Sequence, residues 1–217
     1  MPDVVALGDL NVDIIAHFDS YPDKGQDALA CSTEFHCGGS AANTAIALAR
    51  MGLDVVLISR VGPDSLALKA LNSLSEAGVT PTGLQRDPAA MTGLMYVVVT
   101  PDGERTILGH RGANTLTEPA KIPAEEIRNA KLLHLSGYAF LVEPQRSAAR
   151  LALEIAIDHG LAVSLDPGMS VPDGVLDEMQ SLLPEVDILL PNLAEACRLT
   201  GLSSPEVCAQ ALLDAGA

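Results

Sequence analysis

The feature that most constrains the fold of this chain is the alternation of short apolar runs with amphipathic segments. Runs rich in Val, Ile and Leu occupy residues 4–7, 55–59, 132–135, 161–165 and 186–190. Helical patterns rich in Ala and Leu occupy residues 41–51, 64–77, 144–159, 193–200 and 205–215. Strands that alternate with helices form a parallel sheet covered on both faces. We therefore predict an α/β domain with a mainly parallel sheet between two helical layers.

Two segments do not follow this alternation. Residues 92–100 and 105–108 flank the turn sequence Pro101-Asp102-Gly103, which is the pattern of a β-hairpin. Residues 19–37 alternate loosely and contain Pro22 and Gly25, which predicts turns and short strands. We expect both segments to form a small antiparallel flap on one edge of a single domain spanning residues 1–217.

The charge balance restricts the class of partner. Thirteen Lys and Arg against 28 Asp and Glu give a net charge of −15, and such a field repels nucleic acid and anionic membrane surfaces. The amino terminus has no basic signal-peptide region, and no apolar run approaches the length of a membrane helix, so we expect a cytoplasmic protein. The four cysteines and five histidines show no metal-ligand spacing, which predicts free thiols and no direct metal site.

A first polar cluster follows the first predicted strand, in the sequence Gly8-Asp9-Leu10-Asn11-Val12-Asp13. Ligands of parallel α/β sheets bind beyond the carboxyl ends of the strands, and the side chains of Asn11 and Asp13 can each hydrogen-bond vicinal hydroxyls. An Asx-rich turn without function is the alternative interpretation. The cluster lacks the G-x-G-x-x-G pattern, which argues against a dinucleotide-dependent dehydrogenase.

A second cluster, residues 38–43 with the sequence GGSAAN, opens an Ala-rich segment. Two glycines before a helix allow the backbone to approach a ligand closely, and the first amides of the helix can bind it. The alternative is a glycine turn whose small-residue helix packs tightly on the sheet. No Gly-Lys-Ser/Thr follows, so the cluster is not a P-loop.

The order of these motifs resembles the ribokinase-like family, also called the PfkB carbohydrate kinases. N-x-D after the first strand, G-G-S-A-A-N and then A-R-M-G begin the series. It continues through V-G-P-D at 61–64, P-D-G-E-R-T at 101–106, R-G-A-N at 111–114, L-S-G at 135–137, L-D-P at 165–167 and P-N-x-x-E at 191–195. The landmarks occur in family order along nearly the whole chain.

The resemblance implies a ribokinase-like three-layer fold with a β-sheet lid formed by about residues 14–37 and 92–110. It implies an ATP- and Mg²⁺-dependent kinase whose lid closes over a small sugar or nucleoside and often mediates homodimerisation. The acceptor would be bound by Asn11, Asp13, Gly39, Ser40, Asn43 and Arg111. Asn192 and Glu195 match the family's N-x-x-E motif, which helps to organise Mg²⁺ and phosphate through water. An exposed first-turn position stabilised by the helix dipole is the alternative for Glu195.

Two departures from the family pattern, and one residue that matches it, affect the expected substrate and activity. Ser40 stands where ribose-specific members usually carry Lys, which leaves fructose-type sugars, keto-deoxy acids and nucleosides open. Arg111 could meet an anionic acceptor or remain a solvated lid charge. The family's Asp-Thr-x-Gly-Ala-Gly-Asp run, which carries the catalytic base, does not occur in the 217 residues.

We therefore expect an incomplete ribokinase-like domain that holds no catalytic residue and has no kinase turnover by itself. The leading interpretation is the acceptor-binding part of a sugar kinase. A nucleoside kinase is the nearest alternative. A non-catalytic sugar-binding protein would be the alternative if the chain ended at Ala217. Asp166, at the end of a predicted strand, could line the nucleotide side of the cleft or act as a structural cap.

Overall fold

A computed structural model describes residues 1–168 and 173–216, and its central layer is a six-stranded sheet. The strands are β1 (Val4–Leu7), β4 (Val55–Val61), β5 (Leu84–Arg86), β8 (Leu132–Ser136), β9 (Ala162–Asp166) and β10 (Ile188–Leu189). They lie in the order β10-β9-β8-β1-β4-β5, and every neighbouring pair is parallel. The predicted parallel sheet is confirmed.

Seven α-helices accompany this sheet in the described residues. They are α1 (Ser40–Arg50), α2 (Ser65–Ala77), α3 (Ala124–Arg128), α4 (Gln145–Asp158), α5 (Asp173–Leu182), α6 (Leu193–Thr200) and α7 (Pro205–Asp214). Successive residues of β1 point to opposite faces: Val4 and Ala6 pack with α1 and α2, whereas Val5 and Leu7 join the core beneath α3 to α7. The two cores confirm the three-layer α/β/α arrangement.

A second, four-stranded sheet forms the lid beside the central sheet. Its strands are β2 (Asn11–His17), β3 (Ser32–Gly38), β6 (Gly93–Val99) and β7 (Arg105–His110), in the order β3-β2-β6-β7. The β6–β7 hairpin agrees with the prediction. The expectation of an entirely antiparallel flap is wrong, because β2 and β6 pair in parallel and join two antiparallel hairpins into a mixed sheet.

The sequence analysis did not predict four elements, namely β2, β5, α3 and α5. Asn11 and Asp13 lie on a lid strand rather than in a turn, because β2 begins only four residues after β1 ends. β5 has three residues and α3 has five, so neither is long enough to give a periodic pattern. α5 was also missed. Among the described residues, no helix has both the length and the apolar content that crossing a membrane requires.

Candidate functional site

A cleft of about 380 Å³ lies between the carboxyl ends of the central strands and the lid. Its polar lining includes Asp9, Asn11, Asp13, Ser40 and Arg111. Its apolar lining includes Met95, Val97 and Ile107 from the lid, with Tyr138 and Leu141 opposite. Asn11, Asp13, Gly39, Ser40 and Arg111, five of the residues selected from the sequence, therefore line one cavity. Its position agrees with the rule that parallel α/β sheets bind ligands beyond their strand ends.

The Asp13 carboxylate lines the cleft and has an unpaired hydrogen-bond acceptor atom. Its Oδ1 atom is buried and has no hydrogen-bond partner in the part of the chain that the structure describes. Burial raises the pKa of the Asp13 carboxyl, and the nearby His36 opposes this shift only in part. A buried acceptor without a partner is costly, so a ligand hydroxyl that donates to Asp13 would remove that cost.

The side chain of Asn114 fixes the segment that carries Asp9 and Asn11. Its Oδ1 accepts from the Leu10 backbone N–H and from the Ser59 hydroxyl, both at 2.9 Å. Its Nδ2 donates to Asn11 Oδ1 at 2.8 Å and to the backbone carbonyls of Leu10 and Arg111. Asn114 is fully buried, and these five contacts leave the link between β1 and β2 with little freedom.

The two glycines before α1 make room for the site's own groups. A Cβ on Gly38 would lie 2.1 Å from Asp13 Oδ1, and a Cβ on Gly39 would lie 2.1 Å from the Asp9 carbonyl oxygen. Gly39 also has a φ of 98°, which non-glycine residues rarely adopt. The glycines thus allow the start of α1 to contact the β1–β2 link directly.

Arg111 is held in the wall of the cleft by Asp9 and Gln145. Its Nε donates to Asp9 Oδ2 at 2.6 Å and its Nη2 to Asp9 Oδ1 at 2.8 Å. Gln145 accepts from the same Nη2 and donates to Asp9 Oδ1 at 2.9 Å, closing a triangle of side chains. Asp9 and Gln145 are buried, so Arg111 is not the freely solvated lid charge considered from the sequence.

Ser40, the first residue of α1, connects the cleft to β9. Its hydroxyl donates to Asp166 Oδ2, and Asp166 Oδ1 accepts from the Gly168 backbone N–H at 3.3 Å. Asp166 thus has a structural contact at the strand end where the sequence placed it. Asn43 is exposed on α1 and is not among the residues that line the cleft, so the structure does not bring it together with Asp13.

Asn192 and Glu195 lie at the start of α6, as its N-cap and in its first turn, and are not among the residues that line the cleft. Asn192 Oδ1 accepts from the Glu195 N–H at 3.0 Å, and Glu195 Oε2 accepts from the Asn192 N–H at 2.8 Å, which is a capping box. Glu195 is 8% exposed, so the alternative of an exposed first-turn carboxylate is wrong. Burial raises the pKa of Glu195, and the negative charge of Asp166 raises it further. A cation near these carboxylates would relieve that repulsion, so their oxygen chemistry fits Mg²⁺.

Four residues that shape the cleft were missed as site residues by the sequence reasoning. These are Asp9, Asn114, Tyr138 and Gln145. Asp9 and Asn114 were present in the quoted motifs and drew attention only as landmarks. Gln145 lies on α4, 136 positions after Asp9, and carries no local signal of its contact.

Comparisons with known proteins agree with the three-layer fold. The chain is 34% identical over 196 residues to an ATP-dependent ribose-1-phosphate kinase of Halopiger xanaduensis, with 90% of this chain and 63% of the relative covered. The fructokinase structure of Halothermothrix orenii superposes with a TM-score of 0.87 at 29% identity, covering 99% of this chain and 76% of that one. An Arabidopsis thaliana ribokinase complexed with ribose and ATP has a TM-score of 0.81 at 26% identity, covering 99% and 68%.

This chain therefore spans less than two thirds of the length of the ribose-1-phosphate kinase to which it is similar. The family model described as pfkB family carbohydrate kinase matches residues 1–217, the full extent of the chain. The chain belongs to the PfkB family of carbohydrate kinases.

Proposed function

We propose that this chain binds and orients the hydroxyl acceptor for ATP-dependent phosphorylation of a sugar or related small metabolite. The observation that carries the proposal is the buried Asp13 Oδ1 without a partner, beside Asn11 and Ser40 in a cleft bordered by the lid. A hydroxyl of the acceptor would donate to Asp13. Binding through several such bonds positions the reacting oxygen and removes much of the entropic cost of the transfer.

In this proposal the lid excludes water from the cleft. Met95, Val97 and Ile107 form an apolar wall on the lid side of the cleft. Closure of that wall over the acceptor would expel water, which otherwise competes with the acceptor as nucleophile. We infer that the lid comprises β2, β3, β6 and β7 and that residues 1–217 belong to one ribokinase-like domain.

The nucleotide side would be served by the polar residues that follow β9 and β10 at the same carboxyl edge of the sheet. Asn192 and Glu195 would hold Mg²⁺ through water, and Mg²⁺ neutralises charge on the phosphates when it is bound with ATP. The Glu195 carboxylate lies close enough to Asp166 for their charges to interact, which supports a cation-binding role for this end. The base that removes the acceptor proton is absent from the 217 residues, since no Gly-Ala-Gly-Asp sequence occurs in them.

A coupled ADP-release assay with sugars and nucleosides tests the activity part of the proposal. We expect no turnover from the 217-residue chain alone. A rate above about 0.1 s⁻¹, against the usual range of about 1–100 s⁻¹ for kinases, would contradict that expectation.

Calorimetric titration tests acceptor binding independently of turnover. We expect a sugar or nucleoside to bind the wild-type chain, and Asp13→Ala to weaken binding about 100-fold through loss of hydrogen bonds to a charged group. Asp23→Ala is the matched control, because Asp23 is an exposed aspartate between β2 and β3. Equal affinity of the Asp13→Ala and Asp23→Ala variants would refute the proposed site.

A nucleoside acceptor is the second candidate, favoured by the apolar lid wall, which a base could contact. Adenosine in the same titration distinguishes it from a free sugar.

We also infer a homodimer through the lids, because Phe35, Tyr96 and Leu108 share one face of the lid sheet and are each at least 37% exposed. Light scattering should then give about twice the 22.6 kDa mass of the chain, and a monomeric mass would exclude the dimer.

A further inference from the structure

Two of the four cysteines lie side by side where α6 packs against α7. Cys197 is on α6 and Cys208 is on α7, and Gly201, in the left-handed conformation, ends α6 between them. The Cys208 thiol donates toward the Cys197 sulfur, and the two Sγ atoms are 3.9 Å apart. Both thiols are free, and this separation is ordinary contact between atoms that are not bonded. A disulfide between them requires the sulfur atoms to approach by about 2 Å.

One member of the pair is accessible to an oxidant and the other is not. Cys197 is partly exposed, whereas Cys208 is 0% exposed. A small oxidant from solvent therefore meets Cys197 first, and Cys208 is held beside it as a second thiol. Burial raises the pKa of the Cys197 thiol, and the neighbouring Cys208 raises it further, so the charge environment does not activate the pair. Its distinguishing property is proximity, which makes the reaction between the two sulfur atoms intramolecular.

Cys31 and Cys37 do not have this proximity. Cys31 directly precedes β3, and Cys37 lies near the end of that strand, six positions further along. Extended backbone covers roughly 20 Å over that length, which is far beyond the reach of a disulfide. The Cys31 thiol instead donates to Asp19 at 3.4 Å. These two cysteines therefore serve as internal controls for the pair on α6 and α7.

We propose that Cys197 and Cys208 form a modification site for hydrogen peroxide, which oxidises them to a disulfide that joins α6 to α7. The Cys197 thiolate attacks one peroxide oxygen, the O–O bond breaks, and Cys197 becomes a sulfenic acid while hydroxide leaves. The Cys208 sulfur then attacks the Cys197 sulfur and displaces its hydroxyl group. The two thiol protons convert both departing hydroxyl groups to water. Two sulfur atoms are thus oxidised and one peroxide is reduced to two waters.

The disulfide would fix the helix that carries the capping box. Cys197 lies two positions after Glu195 on α6. Gln180 on α5 already holds this helix, because its Nε2 donates to the Leu199 carbonyl at 2.7 Å. A covalent link to α7 adds a second restraint and reduces the freedom of α6 to open locally. The Glu195 amide, which donates to Asn192 Oδ1 at 3.0 Å, should then exchange its hydrogen at least about tenfold more slowly. This inference does not depend on the proposed function.

Peptide mapping after peroxide treatment tests the modification site. The folded chain is exposed to hydrogen peroxide, the remaining thiols are blocked with N-ethylmaleimide, and trypsin is added without a reductant. Trypsin cleaves after Arg198, between the two cysteines, so the disulfide would join the peptide of residues 151–198 to the peptide that begins at Leu199. We expect this linked pair, and dithiothreitol should separate it. A chain in which Cys197 stays free, or carries sulfinic acid without a link to Cys208, overturns the proposal.

Three variants assign the link to its two cysteines. Cys197→Ser and Cys208→Ala should give no linked pair, whereas Cys31→Ala, the matched control, should link as the wild-type chain does. Circular dichroism establishes that each variant is folded, and Cys197→Ser changes a partly exposed position, so it serves even if Cys208→Ala does not fold. A linked pair that persists in folded Cys197→Ser, or is lost in Cys31→Ala, refutes the assignment.

Hydrogen exchange followed by NMR tests the effect on α6. The Glu195 amide is compared in the peroxide-treated and the dithiothreitol-reduced wild-type chain, with treated and reduced Cys197→Ser as the control. Exchange should slow only in the treated wild-type chain. Equal exchange rates in a wild-type chain that carries the disulfide would overturn the proposed restraint on α6.

Discussion

Two arginine side chains, Arg60 and Arg111, each pair with buried carboxylate and amide groups, but only the first has all of its guanidinium nitrogens bonded. Arg60, on β4, bonds Asp87, Gln85 and Glu118, and each of its three guanidinium nitrogens has a partner. Arg111 bonds Asp9 and Gln145 and keeps its Nη1 group for the cleft. The exposed fraction of the arginine side chain is 6% in the first cluster and 17% in the second.

This difference in hydrogen-bond saturation indicates that the Arg60 cluster is structural and that the Arg111 cluster belongs to the binding site. A buried ion pair contributes little net stability when it is intact, but the removal of one partner leaves an uncompensated charge, so a saturated cluster fixes the local structure. The Arg60 cluster holds β4, β5 and the segment at Glu118 together. The Arg111 cluster leaves one donor group open and adjoins an unsatisfied carboxylate, Asp13, which are features of a surface prepared for a ligand.

The largest expected effect on stability is at Arg60. Arg60→Met leaves Asp87 with the backbone N–H groups of Ala89 and Ala90 but without its cation, and it also removes the donor to Gln85 and Glu118. We expect the free energy of unfolding to fall by about 3 kcal/mol. Urea denaturation measures the free energy of unfolding of the variant and of the wild-type chain. Lys121→Met is the matched control, because Lys121 pairs with Glu118 at 3.0 Å while half exposed, and it should cost less than about 1 kcal/mol. Similar losses for both variants would show that the Arg60 cluster is not a scaffold.

Gly39→Ala should have the next largest effect. The new Cβ would lie 2.1 Å from the Asp9 carbonyl oxygen and the residue would keep a φ of 98°, so we expect a loss of about 2–3 kcal/mol. Gly25→Ala has a similar φ of 89° with no atom within 4 Å of its Cβ, so it isolates the conformational cost, about 1 kcal/mol. Thermal melting of both variants measures the two stability losses. Equal losses for Gly39→Ala and Gly25→Ala would mean that the start of α1 can move away from Asp9 at little cost.

Arg111→Met should cost less stability than Arg60→Met. Asp9 keeps its bond from Gln145 and borders an open cleft, so we expect a loss of about 2 kcal/mol, near the cost of one charged hydrogen-bonding partner. Acceptor affinity should fall about tenfold, since the Nη1 donor is lost. The same denaturation and calorimetry used for Arg60→Met measure both quantities. If Arg111→Met lost more stability than Arg60→Met and left acceptor affinity unchanged, Arg111 would be the structural residue and not part of the binding site.

Asp13→Asn should produce the smallest stability change, and in the opposite direction. Burial raises the pKa of Asp13 above its unfolded value, so the folded state binds a proton more tightly than the unfolded state does. The wild-type protein therefore loses stability as pH rises from about 4 through the folded-state pKa. We expect Asp13→Asn to gain stability at pH 7, by less than each of the other variants loses, while acceptor affinity falls, so stability is gained at the expense of function. The gain should disappear below about pH 4, and a gain that persists there would exclude the charge as its cause.

Much of the fold was predictable because its signals are local. The β-branched runs at β1, β4, β8 and β9 and the helical periodicity of α1, α2 and α4 appear within windows of 4 to 14 residues. The short elements β5 and α3 were not predictable, since pairing with β4 and packing on α4 stabilise them more than their own sequences do. The parallel pairing of β2 with β6 in the lid was also not predictable from local signals, because it joins residues about 82 positions apart in the chain.

The sequence by itself determined the α/β class and the polar motifs at the strand ends, because propensity, periodicity and motif spacing are properties of short segments. The resemblance to the family then proposed Asn11, Asp13, Gly39, Ser40 and Arg111 as site residues. Only the tertiary structure decided that Arg111 is paired with Asp9 and that Ser40 bonds Asp166. It also decided that Asn43 is exposed outside the cleft lining and that Asp13 Oδ1 is buried without a partner among the described residues. The physical reason is that hydrogen-bond saturation and burial depend on groups 100 or more positions apart in the chain, which fold-wide packing alone brings together.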